Sequence, residues 1–280
     1  IFRKGNNVWA VSPHFDKKRP TLLLNSHIDT VKPVSGWEKE PYTATETDDR
    51  IFGLGSNDAG ASLVSLLHVF IFLTENQQPY NLIFLASAEE EVSGKNGILD
   101  CSVYGKSGHA ARNEGENAIY KALKIIENFR DFQFPKVSEQ LGAVKLSVTQ
   151  VQAGTQHNVI PDRCDFVVDV RTNELYKNEE AFSILQKNIN CEMKARSFRL
   201  NSSKIEPDHP IIIRAKMLGL QPFGSPTLSD QALMPFTSVK IGPGDSARSH
   251  TANEFILKSE IREAIDLYIK LLDRLSLEPA

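Results

Sequence analysis

The sequence predicts an α/β fold, a mixed and mainly parallel sheet with helices on both faces, into which a smaller α+β module is inserted. Three observations near the start favour the sheet. Residues 21–25 are an apolar run suited to a buried strand, residues 60–73 carry helical periodicity, and residues 81–87 form a second apolar strand. Strand, helix and strand in this order are typical of a parallel sheet covered on both faces.

The inserted module is predicted from a change of pattern at Leu99. Elements then follow in the order β-α-β-β-α-β of a ferredoxin-like module, at residues 99–104, 117–130, 144–152, 164–170, 179–188 and 195–200. After residue 206 the chain returns to helix, short strand and helix. We therefore expect a discontinuous larger domain at 1–98 and 206–280 and an inserted domain at 99–205.

Charge and composition argue against several classes of partner. A formal net charge of −3 over 280 residues gives no electrostatic reason to expect binding to nucleic acid or to an anionic membrane. The richest apolar run, 63–73, is shorter than a bilayer span and is interrupted by Ser65 and His68. The three cysteines lie far apart, which fits a reducing cytoplasm better than a disulfide framework or a zinc knuckle.

The first candidate functional residues stand at the end of the first apolar strand. The run that begins at Leu22 stops at His27, and Asp29 follows two residues later. In an extended segment both side chains point the same way, so the carboxylate can hold one ring nitrogen while the other binds a metal. The alternative is a hydrogen-bonded core histidine without a ligand role.

Asp58 is a candidate metal ligand at the start of the helical segment. Its two oxygens could bridge two cations, and Gly53, Gly55 and Gly60 would let the backbone crowd around them. The alternative is an ordinary helix N-cap, since aspartate accepts hydrogen bonds from free backbone N–H groups there.

Two further candidates follow later in the chain. Glu89, Glu90 and Glu91 come directly after the second strand, and three adjacent carboxylates repel one another unless cations or shared protons compensate. A solvated charge run is the alternative. His250 follows a glycine-rich loop, and its imidazole would suit zinc or cobalt, although it could also be a simple loop histidine.

Together these motifs resemble a known family, the dinuclear zinc aminoacylases and exopeptidases of the M20 type. The resemblance rests on 27–29, 53–58, 90–91 and His250, and within the inserted module on 105–109 and 158–161. Acetylornithine deacetylase and succinyl-diaminopimelate desuccinylase look most similar. The resemblance implies a zinc exopeptidase-like catalytic domain, a lid or dimerisation domain, a homodimer, and two divalent ions, Zn²⁺ or Co²⁺.

The resemblance also implies a role for each metal-site residue. The metal ligands would be His27, Asp58, Glu91 and His250. Asp58 would bridge the two ions, with His27 on one ion and Glu91 and His250 on the other. The family further implies a cis peptide bond between Asp58 and Ala59.

For catalysis the resemblance implies three residues. Glu90 would be the general base, and Asp29 would support His27. A shift of one residue would instead make Glu89 the base and Glu90 the ligand. His109 of the lid would assist the carbonyl oxygen from across a dimer, unless it is only a turn residue among small neighbours.

Substrate recognition is also inferred from the resemblance. The matching positions, which hold the substrate's α-carboxylate in relatives, are Asn158, Arg171, Thr227, Gly242 and Gly244. Arg171 could equally be a surface strand residue and Thr227 a turn former. The expected reaction is hydrolysis of N-acetyl-L-ornithine or N-succinyl-L-ornithine, in arginine biosynthesis. The alternatives are a succinyl-diaminopimelate desuccinylase or an M20 dipeptidase.

One departure from the family concerns the segment before the lid. The family carries a further helix and strand there, which end in a Gly-Glu-Pro-like motif with another metal-binding carboxylate. Here Ile98 runs directly into Leu99. We expect that residues are omitted between them, so that the two are not joined by a peptide bond. A real deletion would leave a gap in the core and would favour a metal-free binding or scaffold protein.

Overall fold

The computed structural model describes residues 1–91, 98–112, 114–225, 227 and 229–277. The chain divides into two compact units. The first contains Ile1–Ser93, Ile205–Pro222 and Val239–Ala280, and the second contains Gly94–Lys204 and Phe223–Ser238. The segment 223–238, which the sequence analysis assigned to the larger domain, is thus grouped here with the second unit.

The described residues form short strands and five helices of eight or more residues. The strands are β1 (Phe2–Lys4), β2 (Asn7–Val11), β3 (Thr21–His27), β4 (Thr45–Thr47), β5 (Arg50–Phe52), β6 (Asn81–Ser87), β7 (Ile98–Tyr104), β8 (Gly108–His109), β9 (Lys145–Ala153), β10 (Val159–Ile160), β11 (Arg163–Arg171), β12 (Glu192–Ala195) and β13 (Phe255–Leu257). The helices are α1 (Ala61–Thr74), α2 (Ala118–Asp131), α3 (Asn178–Asn188), α4 (Pro210–Met217) and α5 (Lys258–Leu272).

The main sheet of the first unit has the strand order β1-β2-β6-β3. Only β3 and β6 pair in parallel among its described strands, because the N-terminal hairpin β1–β2 adds to β6 in the antiparallel sense. The expectation of a mainly parallel sheet is therefore wrong for this part of the chain. The parallel pair ends with His27 opposite Ser87, so the residues that follow both strands emerge at the same edge.

A second, three-stranded sheet of the first unit joins distant parts of the chain. Its order is β13-β5-β4, with Phe255 opposite Phe52. This pairing brings the residues just before β13 next to those just after β5. Both segments carry residues that the sequence analysis selected, namely His250 and Asp58.

The core of the first unit lies where α1 packs against α5 and the main sheet. The inward side of α1 contributes Val69 and Leu73, the sheet contributes Leu82, and α5 contributes Tyr268 and Leu271, all of them buried. Burying such side chains stabilises the fold by roughly 1.5–3 kcal/mol each.

The outward side of α1 is apolar but exposed. Val64, Leu67, Ile71 and Phe72 all lie on it, and β3 is the edge strand of the sheet on which α1 packs. This uncovered face corresponds to the core gap that the sequence analysis expected from the absence of a further helix and strand.

The expected break between Ile98 and Leu99 is not present. The two are consecutive residues of β7, paired with Asp169 and Val168 of β11. The expectation of omitted residues at this bond is therefore wrong: the ladder runs through it without a shift in register.

One segment, Ser56–Thr74, is long and apolar enough by length and composition to cross a membrane, with a mean hydropathy of 1.4. Its first five residues are an irregular turn with non-helical backbone at Asp58 and Ala59. The regular helix is therefore α1, whose 14 residues fall short of the roughly 20 that a membrane span needs. Its inward side belongs to the core described above, which makes the segment weak evidence for a membrane helix.

The second unit has a four-stranded antiparallel sheet with the order β12-β7-β11-β9. Together with α2 and α3 its main strands follow the β-α-β-β-α-β order that the sequence predicts. The buried core includes Phe129, Phe166, Val168 and Leu185. In the same unit, β8 and β10 pair with each other and form a separate two-stranded antiparallel ribbon.

The two sides of α1 give a direct test of this packing. Leu73 is 1% exposed and Ile71 is 53% exposed. Leu73→Ala should lower the free energy of unfolding by about 2–5 kcal/mol because it leaves a cavity. Ile71→Ala, the matched control, should change it by less than about 0.5 kcal/mol. Urea unfolding measures both, and equal losses would show that the outer face of α1 is covered in solution.

Candidate metal centre

The site begins where β3 and β6 end side by side. Beyond the ladder, the Ile28 N–H donates to the Ser87 carbonyl at 2.8 Å, which extends the parallel pairing by one step. The carboxylate of Asp29 then accepts hydrogen bonds from the backbone N–H groups of Glu90 at 3.3 Å and Glu91 at 3.1 Å. Asp29 thus fixes the start of the glutamate segment to the end of β3.

The imidazole of His27 is held from both sides. Its Nδ1 donates to the backbone carbonyl of Asp29 at 3.0 Å, whereas the nearest carboxylate oxygen of Asp29 lies 3.6 Å away, too far for a hydrogen bond. The expected contact with the carboxylate is therefore replaced by one with the carbonyl, since the carboxylate is occupied by Glu90 and Glu91. This leaves Nε2 facing Asp58 Oδ1 at 3.1 Å.

Asp58 faces a different histidine with each of its oxygens. Oδ1 contacts His27, and Oδ2 lies 3.8 Å from His250 Nε2. The same His250 nitrogen lies 3.4 Å from Glu91 Oε2. One carboxylate thus lies between two imidazoles, and a second carboxylate lies beside one of them.

The charges of these groups influence one another. Burial alone would lower the pKa of His27, but its hydrogen bonds to Asp58 and the Asp29 carbonyl, with the nearby charge of Glu90, raise the pKa to about 9. The hydrogen bond from His27 lowers the pKa of Asp58. Burial raises the pKa of Glu91. The charge of Asp58 also raises this pKa, whereas the charge of His250 lowers it.

The donor set fits a divalent metal. His27, Asp58 and Glu91 each offer one ligand atom, and these atoms lie within 4.8 Å of one another. Imidazole nitrogen and carboxylate oxygen together suit zinc and related ions. The cis peptide bond between Asp58 and Ala59, which the resemblance implies, is present.

The geometry also bears on the register of the glutamate pair. Glu91 contacts His250, while Glu90 lies close enough to His27 for its charge to act on the ring. Glu89 is exposed and adopts a positive φ of 73° as the chain leaves β6. Glu91 is thus the glutamate of this segment that belongs to the candidate metal-binding group, and the role of Glu90 stays a prediction.

Sequence reasoning missed two buried residues that organise the site. The side chain of Glu254 accepts hydrogen bonds from the backbone N–H groups of the loop that carries Asp58. The amide of Asn57 donates to the Asp245 carbonyl and to Ser249 Oγ, both at 3.1 Å. Because their partners are mostly backbone groups of distant loops, no residue pattern shows these contacts. The only signal in the sequence is their position beside Asp58 and close after His250.

Glycines allow the loops to approach this closely. Gly55 has a φ of 78°, and a Cβ there would lie 2.3 Å from Thr30 Cγ2. Gly244 has a φ of 83°, and a Cβ there would lie 2.2 Å from Asn57 Oδ1. Gly244 and nearby Gly242, both expected to bind substrate, thus belong to the loop that Asn57 holds.

The other predicted substrate residues lie in the second unit. His109 and Asn158 are brought together by the β8–β10 ribbon, where the Ala110 N–H donates to the Asn158 carbonyl at 3.0 Å. The His109 side chain is exposed, and its Nδ1 accepts from the Ala111 N–H at 3.1 Å.

Arg171 and Thr227 are placed elsewhere in that unit. Arg171 ends β11 and pairs with Asp169 at 2.9 Å, an exposed ion pair on its own strand. β11 spans roughly 26 Å at about 3.3 Å per residue, and it separates Arg171 from the ribbon that carries Asn158. Thr227 is exposed and hydrogen-bonds Ser225 Oγ through its hydroxyl at 2.8 Å.

Comparison with known proteins agrees with this geometry. The family model for peptidase family M20/M25/M40 matches residues 23–274, which is most of the chain. The chain belongs to this family. The match covers both of the strand ends and both of the loops that build the metal centre.

Individual M20 relatives are distant in sequence. A succinyl-diaminopimelate desuccinylase of Orientia tsutsugamushi is 23% identical over 68% of this chain and 61% of its own length. An N-acetyl-L-citrulline deacetylase of Xanthomonas campestris is 22% identical over 94% of this chain and 84% of its own length. The chain matches about three fifths of the length of the desuccinylase, so the activity of the whole protein is treated below as a proposal.

A solved structure supports the fold. The aminopeptidase PepT from Bacillus cereus aligns with a TM-score of 0.72 at 18% identity, over 96% of this chain and 84% of the other. At this identity the likeness establishes the α/β architecture alone.

Metal binding should be measurable as a gain in thermal stability. Zn²⁺ or Co²⁺ added to metal-stripped protein should raise the free energy of unfolding by about 2.7 kcal/mol at a free concentration of 100 times Kd. EDTA should reverse the gain. His27→Ala should abolish it, whereas His68→Ala, an exposed histidine of α1, should leave it intact. An equal response of both variants would contradict the assignment of the site.

Proposed function

We propose that this chain is a metal-dependent amidohydrolase that removes the acyl group from an N-acyl-L-amino acid. The observation that carries the proposal is Asp58, which faces His27 with one oxygen and His250 with the other. Glu91 stands beside His250, and Glu90 stands near His27. Membership of the M20 family supports the same chemistry.

The metal ligands in this proposal are His27, Asp58, Glu91 and His250. When bound, two divalent ions, Zn²⁺ or Co²⁺, supply the Lewis acidity that activates water and polarises the amide carbonyl. The residues of the chain provide the rest. Asp29 holds His27 through its carbonyl and the glutamate backbone through its carboxylate, so it keeps ligand and base in a fixed relation.

Glu90 acts as the general base. It takes the proton of the attacking water and later delivers it to the nitrogen of the leaving amine. Attack on the carbonyl carbon breaks the amide C–N bond, which yields a free carboxylate and a free amino acid. His109 assists the carbonyl oxygen as a hydrogen-bond donor.

The proposed substrate is N-acetyl-L-ornithine or N-succinyl-L-ornithine, and the proposed pathway is arginine biosynthesis. Two observations support this substrate. The segments 24–33 and 154–158 resemble such deacylases, and the names of two relatives specify removal of a succinyl or an acetyl group. Arg171, Asn158, Thr227, Gly242 and Gly244 are the proposed contacts to the substrate. A desuccinylase or a dipeptidase of the family is the alternative.

We propose a homodimer, as the M20 resemblance implies. Arg171 and the pair His109–Asn158 lie at opposite ends of β11, whose length is far greater than that of a small amino acid. We propose that a second copy supplies one of them, as the M20 resemblance implies.

The role of Glu90 is tested by a pair of isosteric variants. Glu90→Gln should reduce turnover of the preferred N-acyl-amino acid by about 10²–10⁴-fold, because the base is lost while the ligands remain. Glu89→Gln is the matched control and should retain activity. Metal content of both, measured by elemental analysis, should equal that of the unaltered protein. Loss of activity in Glu89→Gln alone would reassign the base to Glu89.

A substrate panel tests the proposed reaction. N-acetyl- and N-succinyl-derivatives of ornithine, citrulline and diaminopimelate are offered to the zinc- or cobalt-loaded protein, and release of free amine is measured. Hydrolysis of an ornithine derivative supports the proposed substrate. Metal binding without hydrolysis of any member would refute the deacylase assignment, whereas absence of metal binding would favour the metal-free binding or scaffold function that a real deletion before Leu99 implies.

The lid role of His109 is tested separately. His109→Ala should lower turnover by about 10²–10³-fold, as expected when one donor to a developing oxyanion is lost, without change in metal content. His157→Ala, an exposed histidine near the same ribbon, is the control and should have no effect. Unchanged turnover in His109→Ala would refute the role.

A further inference from the structure

We infer that Glu254 is a positioning residue that fastens the Asp58 loop and the His250 loop to each other, so that both ligands enter one metal site. The inference rests on the proposed function of that site as a metal centre. Glu254 is not one of the proposed metal ligands, and its carboxylate accepts hydrogen bonds from backbone N–H groups instead. Its role is to hold two ligands that lie far apart in the chain.

The contacts of the Glu254 carboxylate are made to one loop. Oε1 accepts from the N–H groups of Asn57 and Asp58, both at 2.9 Å, and Oε2 accepts from the N–H of Gly55 at 3.1 Å. Both oxygens are thus directed at the backbone that leads into Asp58. Hydrogen bonds to an ionised acceptor are stronger than neutral ones, and three of them define the path of this short loop.

The burial of Glu254 makes these contacts obligatory. The residue is 2% exposed. A buried carboxylate is costly unless hydrogen bonds replace its water shell, and here backbone amides do so. All three donors are peptide N–H groups, so these bonds stabilise the buried carboxylate without a cationic side chain.

The same residue anchors the His250 loop. Its backbone carbonyl accepts from the Gly53 N–H at 3.1 Å, and the next residue, Phe255, opens β13 opposite Phe52. His250 lies four residues earlier, and both His250 and Asn253 adopt positive φ values, 60° and 58°. The loop between them is short, so fixing Glu254 limits where the His250 ring can lie.

Asn57 closes the connection from the other end. Its side chain bonds Asp245 and Ser249, which precede His250, while its N–H bonds Glu254, which follows it. The His250 loop is thus fastened to the Asp58 loop at both of its ends. Separation of the two loops would therefore break hydrogen bonds to Glu254.

The test is metal affinity rather than activity. Glu254→Gln offers one acceptor oxygen in place of two, and its NH₂ group faces an N–H donor. Titration of metal-stripped protein with Zn²⁺ by calorimetry should show a 10–100-fold weaker Kd, the effect typical of lost support behind metal ligands. Glu254→Asp, which keeps both oxygens on a shorter chain, should recover part of the affinity.

The matched control separates positioning from general stability. Asn81 is 1% exposed, lies at the far end of β6 and bonds Asp16 and Arg19. Asn81→Ala should lower the melting temperature without changing the Zn²⁺ Kd. Equal weakening of Zn²⁺ binding in Asn81→Ala, or an unchanged Kd in Glu254→Gln, would overturn the inference. If Glu254→Gln does not fold, the same comparison is made with Glu254→Asp.

The two proposals fail in different ways. If the unaltered protein binds no Zn²⁺ or Co²⁺, the proposed function is refuted together with the inference that rests on it. If the unaltered protein binds the ion and both Glu254 variants bind it equally well, only the positioning role is refuted.

Discussion

The parallel pairing of β3 and β6 is the constraint on which the candidate site depends. Parallel strands end at the same edge, and here the register sets His27 opposite Ser87. Asp29 and the segment from Glu89 to Glu91 follow within a few residues. A slip of one residue would turn His27 to the other face of the sheet and separate it from Asp58. Among the described strands, this one parallel pair is thus enough to bring the two segments to the same edge of the sheet.

Two acids of the site, Asp58 and Glu91, have different electrostatic surroundings. Asp58 is compensated by His27, which lowers its pKa, whereas burial raises that of Glu91. The ionised form is thus favoured for Asp58 and disfavoured for Glu91. Glu254 shows the contrast within the same unit, since its charge is met by backbone N–H groups. Glu254, a buried acid, is thus held by backbone amides, whereas Asp58 and Glu91 face imidazoles and belong to the candidate metal-binding group.

Sequence reasoning selected the chemistry-bearing residues but not their supports. His27, Asp58, Glu91 and His250 are found because imidazoles and acids stand where strands and glycine-rich loops end, and the fold brings them together. Sequence reasoning missed Glu254 and Asn57 because their partners are mostly backbone groups, and contacts to backbone groups leave no pattern of residue types in the sequence. The strand directions were also mispredicted. Periodicity indicates a strand near 7–11, but the antiparallel pairing of β2 with β6 depends on tertiary contacts that periodicity does not show.

The shortened core and the metal centre are held by different interactions. A neighbouring helix and strand would pack on the exposed side of α1 and on the edge of β3 that no described strand covers. The continuous strand through Ile98 and Leu99 leaves no residues for them at that bond. The candidate ligands are held instead by the pairing of β3 with β6, by the hydrogen bonds of Asp29, and by Glu254 where β13 pairs with β5. None of these contacts involves the outer face of α1. The arrangement around Asp58 is therefore independent of whether that face is covered, and a chain with an open core edge can still present its histidines and carboxylates to a metal.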